Sequence, residues 1–239
     1  MDKIGEFFHY ISPRIISLTN ERFENTKEIK YKDKRNSLDI STEGDTDNEK
    51  LIVDEITKRF PNDKIVAEET SPDTSGINNR RVWIIDPICG SANLKNGIRF
   101  FCSNIALAEN GKLIASCVVD HCKQEYIWST GNSKIYINKK LYSPKKQTTG
   151  VMVEMDLSAL TGMSKEIIER HMKLISALLC QKDFYLSSLC TSLSFAYVAL
   201  GRIDGYANGF GKVWDTAAAN FLVEQAGGVI PQMDGKPWT

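Results

Sequence analysis

Three groups of carboxylates stand out by their placement. Glu68 and Glu69 follow the apolar run Ile65-Val66-Ala67. Asp86 closes Val82-Trp83-Ile84-Ile85 and opens into Pro87-Ile88-Cys89-Gly90-Ser91, and Asp215 follows Trp214 at the head of a helical pattern. Carboxylates at strand ends and helix starts have a rigid base and an open side for a ligand. Their oxygens suit a hard cation such as Mg²⁺, which keeps waters and shares substrate phosphate oxygens. Gly90-Ser91 can begin a short helix whose N–H groups face an anion. Singly, each piece has an ordinary explanation: Asp is a common turn residue, Asp215 can cap a helix without a metal, and Glu68-Glu69 reads as a solvated pair.

The elements that must position these groups can be read from periodicity. Ile4, Phe7, Phe8, Ile11, Ile15 and Leu18 share a helical face, with Pro13 predicting a kink or a late start. Residues 27–44 are polar and aperiodic and read as a loop. Thr46-Asp47-Asn48-Glu49 then matches a capping box for a helix burying Leu51, Ile52, Ile56 and Phe60. Six short runs follow, Lys64–Ala67, Arg81–Ile85, Phe101–Ala108, Leu113–Val119, Glu125–Ser129 and Lys134–Ile137, which predict a mostly antiparallel meander. The basic stretch 139–149 reads as a connection. Beyond it, strands at Val151–Met155, Phe184–Leu186 and Ile203–Tyr206 alternate with three helices. The first is capped by Ser164 and buries Ile168, Met172, Ile175 and Leu179. The second is capped by Thr191 and the third by Asp215, with Gly227-Gly228 as its stop. The class is α/β, in two halves of one catalytic unit: 1–149, with the carboxylate motifs, and 150–239.

The chain has 239 residues, 42% of them apolar, with 30 basic against 30 acidic residues and no net charge. That balance excludes a disordered chain and predicts no nucleic acid polymer as partner. No apolar run approaches the ~18 residues of a membrane span, and the start lacks a signal peptide's pattern. Six cysteines without a CxxC pair read as reduced thiols, which predicts a cytoplasmic protein with no membrane association.

The run Trp83-Ile84-Ile85-Asp86-Pro87-Ile88-Cys89-Gly90-Ser91-Ala92-Asn93 closely resembles the W-I-I-D-P-I-D-G-T-x-N signature of the inositol monophosphatase family. Trp214-Asp215-Thr216-Ala217-Ala218-Ala219 and Glu224-Gln225-Ala226-Gly227-Gly228 resemble its W-D-x-A-A-G and E-A-G-G. Glu68-Glu69 stands where the family has G-E-E, Asp39-Ile40-Ser41-Thr42 with Asp45 resembles D-x-V-T-x-x-D, and Leu200–Tyr206 resembles A-x-G-x-x-D-A-Y. The resemblance runs in the family's order from about Lys34 to Trp238.

It implies a layered α/β/α/β/α sandwich of the inositol monophosphatase and fructose bisphosphatase type. It implies Mg²⁺-dependent hydrolysis of a small phosphorylated polyol or sugar, and a homodimer. Glu68, Asp86 and the Ile88 carbonyl would hold a first metal; Asp86, the residue at 89 and Asp215 a second. Ser91 and Asp45 would orient the attacking water, with Glu68 beside them. Gly90 and Ser91 would bind phosphate, and Thr191, Ser192, Asn208 and Asp215 would line the substrate. An in-line phosphoryl transfer with one cation near the nucleophile and one on the leaving oxygen agrees with such a set.

The departures are chemical. Cys89 replaces an Asp, and a thiol suits softer ions, so the second site should be weakened with Mn²⁺ or Zn²⁺ as substitutes. Three readings stand: a phosphatase with altered metal demand, a slow enzyme using fewer metals, or a member that binds sugar phosphate without hydrolysis. Asn208 falls near a family Glu that reads inositol hydroxyls, Arg99 replaces a Pro, and Cys190-Thr191-Ser192 replaces a small segment near the substrate. A fructose bisphosphatase or nucleotide phosphatase would share the metal motifs. Family members usually continue past the position of Thr239, so the C-terminus reads as short. His9 and His171 fall within helical patterns, and Cys117, His121 and Cys122 point to different faces; none of these is expected to ligate.

Overall fold

The computed structural model describes residues 2–25, 29–33, 36–75, 77–143, 151–157, 163–181, 183–189, 191–209, 211–232 and 235–236. The chain opens with helix α1 (Lys3–Asn25), hairpin β1 (Ile29–Asp33) and β2 (Asn36–Thr42), and helix α2 (Glu43–Arg59). Then come β3 (Lys64–Ala67), β4 (Arg81–Cys89), the short helix α3 (Ser91–Lys95), β5 (Cys102–Glu109), β6 (Lys112–Asp120), β7 (Glu125–Ser129), β8 (Ile135–Ile137) and β9 (Lys140–Tyr142). The last third holds β10 (Val151–Asp156), α4 (Lys165–Leu179), β11 (Phe184–Ser187), α5 (Leu193–Ala199), β12 (Gly205–Asn208) and α6 (Val213–Gln225).

Strands β3 to β9 form one seven-stranded sheet in sequence order, with β3 parallel to β4 and the rest antiparallel. Its strands read as unbroken apolar runs because both faces are covered. Trp83, Ile85, Ile105, Leu107, Cys117, Val119 and Trp128 point to α1 and α2. Val82, Ile84, Ala106, Val118 and Ile127 point to α5 and α6. Beyond α5 lies a parallel sheet ordered β11-β10-β12, and α4 packs on its β11. The layers are therefore α/β/α/β/α.

Several sequence expectations give way to tertiary structure. Helix α1 runs unbroken through Pro13, which sits on its exposed face. A helical Pro costs about 3 kcal/mol. Burying Phe7, Phe8 and Ile11 offsets this at roughly 1.5–3 kcal/mol each; Phe7 and Phe8 meet the Trp83 ring at 5.3 and 6.3 Å. Residues 29–33 and 36–42 pair as antiparallel strands instead of the expected loop; a two-stranded ribbon is held by backbone bonds and leaves no apolar period to read. Helix α2 begins at Glu43, three residues before the expected capping box. Its box is Thr42 with Asp45. Residues 140–142 add an edge strand inside the expected connection, whose remainder from 144 lies outside the described residues. The second α-helical cap is Ser192 instead of Thr191, although Thr191 Oγ1 still accepts the Leu193 N–H at 3.3 Å. On α4, Ile168, Met172 and Leu179 are exposed and His171 is the buried side chain: the helix is an outermost layer, and only the face carrying His171 is covered.

Candidate active site

The site is built on a β bulge. Asp86 pairs with Asn104 and Cys89 with Cys102, so β4 spends one residue more than β5 between these points. Pro87, which has no N–H to donate, falls inside this irregularity. Its carbonyl accepts the Ser103 hydroxyl, and His121 Nε2 lies 2.9 Å from the same hydroxyl. With the serine proton directed at Pro87, His121 must donate from Nε2. Burial holds its pKa near 3, so the ring is neutral. His121 faces Ser103 whereas Cys117 faces Ser12, which separates the two as potential ligands.

Gly90 ends the bulge with φ of 98°, in the left-handed region. A Cβ there would sit 3.2 Å from both Phe101 Cβ and Thr191 Cβ, so conformation and space both require glycine. The chain turns directly into α3, with Gly90 and Ser91 at its start.

The first turn of α2 closes over this loop, where a Cβ on Gly44 would come within 3.3 Å of Ile88 Cδ1. Asp45 is fully buried at that turn. Its Oδ2 accepts the Thr42 N–H at 2.7 Å and the Thr42 hydroxyl at 2.5 Å. The Ser91 hydroxyl lies 2.8 Å from Asp45 Oδ1 and 2.9 Å from the Ile88 carbonyl oxygen. Burial raises the Asp45 pKa against the pull of the Thr42 and Ser91 hydrogen bonds.

Asp86 continues the Val82-Ile84 face of β4, toward α6. Its carboxyl is buried, and its pKa lies well above the usual carboxylate range. Burial is the main cause, followed by Cys89, Glu68, Asp215 and Asp45. Oδ1 of Asp86 has no hydrogen-bond partner. Glu68 reaches the cluster because its N–H bonds the Ile85 carbonyl at 3.2 Å. Asp215, in the first turn of α6, accepts the Lys212 N–H at 2.6 Å. Among the described residues no three His, Cys, Asp or Glu side chains are arranged to hold a metal ion by themselves. Mg²⁺ does not need three: it binds through one or two carboxylates with waters and phosphate oxygens. An orphaned buried carboxylate oxygen surrounded by acidic groups fits such a cation.

Cys89 behaves differently from an acid. Its Sγ accepts the Ser192 N–H at 3.2 Å, and contact with the Cys102 thiol, then burial, push its pKa well up, so it is a neutral thiol.

The substrate side comes from the C-terminal half. Thr191 donates its hydroxyl to the Cys89 carbonyl at 3.0 Å, and Asn104 Nδ2 donates to Ser192 Oγ at 2.7 Å. Asn208 lies beside Asp215: a Cβ on Gly211 would fall 3.3 Å from Asn208 Nδ2 and 3.7 Å from Asp215 Cβ. The fold thus gathers Asp45, Glu68, Asp86, Ile88, Cys89, Gly90, Ser91, Thr191, Ser192, Asn208 and Asp215 around one bulge.

Four supporting residues are not legible from the sequence. Glu49 takes the Glu69 and Thr70 N–H groups on its two oxygens, both at 2.8 Å. Asn93 Nδ2 bridges the Phe100 and Leu189 carbonyls at 2.9 and 2.7 Å. Glu154 accepts the Leu189 N–H and the Ser187 hydroxyl. The Tyr206 hydroxyl reaches Asp156 at 3.4 Å. Asn93 and Tyr206 fall inside recognisable motifs and Glu49 inside the expected cap, but no local pattern marks these contacts, and Glu154 lies in no motif.

The sequence profile of the inositol monophosphatase family matches residues 7–239. Nus factor SuhB of Xylella fastidiosa is 32% identical over 217 residues, covering 84% of this chain and 75% of that protein. Fructose-1,6-bisphosphatase/inositol-1-monophosphatase of Thermotoga maritima is 31% identical over 200 residues, covering 83% and 73%. Among solved structures, Thermotoga maritima IMPase superposes with a TM-score of 0.80 at 28% identity, covering 100% of this chain and 89% of that one.

Proposed function

The chain belongs to the inositol monophosphatase family, and we propose that it hydrolyses a phosphate monoester of a small polyol or sugar with Mg²⁺ as cofactor. The observation that carries this reading is the buried Asp86 carboxylate, with one oxygen unpartnered and Glu68, Asp215 and Asp45 around it. Glu68, Asp86 and the Ile88 carbonyl would hold one cation, and Asp86 with Asp215 a second. When bound, such cations neutralise phosphoryl oxygens and acidify a water. Ser91 accepts a proton from the attacking water and passes its own to Asp45 Oδ1, 2.8 Å away. The raised pKa of Asp45 makes it a competent acceptor. Gly90 and Ser91 N–H groups receive the phosphate, and Thr191, Ser192 and Asn208 border the polyol. Cys89 stays outside the ligand set, since a neutral thiol already engaged by Ser192 and Cys102 offers no anion to Mg²⁺, Mn²⁺ or Zn²⁺.

Cys89 favours a second reading, a member that binds sugar phosphate without hydrolysis, because one expected carboxylate is missing there. Turnover of inositol 1-phosphate, fructose 1,6-bisphosphate and a generic aryl phosphate, each with Mg²⁺ and with EDTA, decides between them. Mg²⁺-dependent release of phosphate that Asp86→Asn lowers at least ~10³-fold is expected. Binding with no turnover at any Mg²⁺ concentration supports the second reading.

A further inference from the structure

The family match explains why an acidic residue is expected at 89, not what a thiol does there. Cys89 and Cys102 are directly opposed partners on antiparallel strands β4 and β5. Opposed residues in such a pair have Cα atoms about 4.5–5.5 Å apart, inside the 4.4–6.8 Å range that a disulfide spans. Their side chains share one face of the sheet and converge on one residue. Cys89 Sγ lies 3.2 Å from the Ser192 nitrogen, and Cys102 Sγ lies 3.4 Å from the Ser192 hydroxyl. Both thiols are free. Cys102 is fully buried, while Cys89 is half-buried on the loop that carries Asp86 and Ser91, so a small oxidant meets Cys89 first.

We propose that Cys89 and Cys102 form an oxidation site, closing reversibly into a cross-strand disulfide within the candidate metal-binding loop. The oxidant is a peroxide. The Cys89 sulfur attacks the O–O bond, becoming a sulfenic acid and releasing one water. The Cys102 thiol then displaces the sulfenic oxygen, forming the S–S bond and releasing the second water. Two electrons pass from the sulfurs to the peroxide, and both thiol protons end in water. A dithiol reductant reverses the step by thiol–disulfide exchange. Closure draws Cys89 Sγ from the Ser192 N–H toward β5 and ties the bulge to its neighbouring strand. Because Cys102 is fully buried and Cys89 only half-exposed, the reaction is slow and requires excess oxidant.

The pairing is read without reference to catalysis, so it stands or falls apart from the phosphatase reading. The native chain is treated with hydrogen peroxide, alkylated, digested with trypsin and examined by mass spectrometry. The expected product links peptide 82–95 to peptide 100–112. It is about 2 Da lighter than the two peptides together, and dithiothreitol releases it. Cys89→Ser and Cys102→Ser each abolish the link. Cys102→Ala, which keeps an apolar group at the buried position, serves as a second variant if Cys102→Ser folds poorly. Oxidation that leaves peptides 82–95 and 100–112 separately alkylated, with modification only at the exposed Cys180, overturns the proposal. So does a disulfide that joins peptide 82–95 to any cysteine other than Cys102 in the native chain.

Discussion

Asp86 carries the largest conflict between stability and function. Its folded pKa is raised, so the folded chain holds that proton more tightly than the unfolded one. The linked stability is present below the unfolded value near 3.8 and is lost as pH rises through the folded pKa. In the metal-free chain, keeping Asp86 ionised therefore costs folding free energy. Asp86→Asn should raise the Tm of the metal-free protein at pH 7.5 by ~2–4 °C, the equivalent of about 1 kcal/mol for a chain of this size. The gain should vanish below pH 4, and Mg²⁺ should raise the Tm of the wild type but not of the variant. Thermal melts at the two pH values, with and without Mg²⁺, check all three. Ser91 acts through its hydroxyl: Ser91→Ala should lower kcat by ~10²-fold with KM within a factor of about three. The lost hydrogen bonds to Asp45 and Ile88 should cost only about 1 kcal/mol in a urea melt. Equal kcat in the two proteins would remove Ser91 from the proton path.

At the scale of elements, the site depends on how helices and strands are latched together. Glu49, buried on α2, holds the turn that bears Glu68 by two backbone N–H groups. Glu49→Ala should cost about 1–3 kcal/mol, since two N–H groups lose a charged acceptor. It should raise the Mg²⁺ concentration for half-maximal activity several-fold, and amide exchange at Glu69 and Thr70 should quicken. Glu49→Gln, which keeps one accepting oxygen but turns an NH2 donor toward the other N–H, should fall between. This latch also shows where sequence reading stops. The motif around Asp86 is legible because strand, turn and helix start lie within eleven residues, Trp83 to Asn93. Glu49 and Glu69 are 20 residues apart and meet only through the packing of α2 on the sheet. Thr46–Glu49 resembled a cap, which hid the actual cap at Thr42, although the family resemblance had already paired Asp45 with Ser91. Six of the central sheet's seven strands were legible from their apolar runs, and the edge strand Lys140–Tyr142 was not. The β1–β2 hairpin and the exposed face of α4 were not, because polar ribbons lack a period and an amphipathic pattern does not say which side a neighbour covers.

Across the whole molecule, buried titratable groups on the two faces of β4 and β5 pull stability in opposite directions with pH. His121, enclosed behind the bulge, has a folded pKa near 3 against 6.5 unfolded. The unfolded chain binds its proton first, so this stability is complete above about pH 6.5 and is lost as pH falls toward 3. Asp86 and Asp45, both raised, do the reverse and gain stability as pH falls through their folded pKa values. In the metal-free wild type the two trends oppose each other as pH falls from 6.5 toward 5. Asp86→Asn removes one opposing contribution, so its unfolding free energy from urea melts should fall over that window, by at most about 1.4 kcal/mol per pH unit. Adding His121→Gln to Asp86→Asn should flatten the slope again, whatever its effect on absolute stability, because the slope counts only protons taken up. A slope in Asp86→Asn no steeper than in the wild type would mean that His121 is already protonated in the fold. A protonated His121 would still donate from Nε2 to Ser103, leaving the Ser103 bond to the Pro87 carbonyl as it is, and the extra proton would sit on the unpartnered Nδ1.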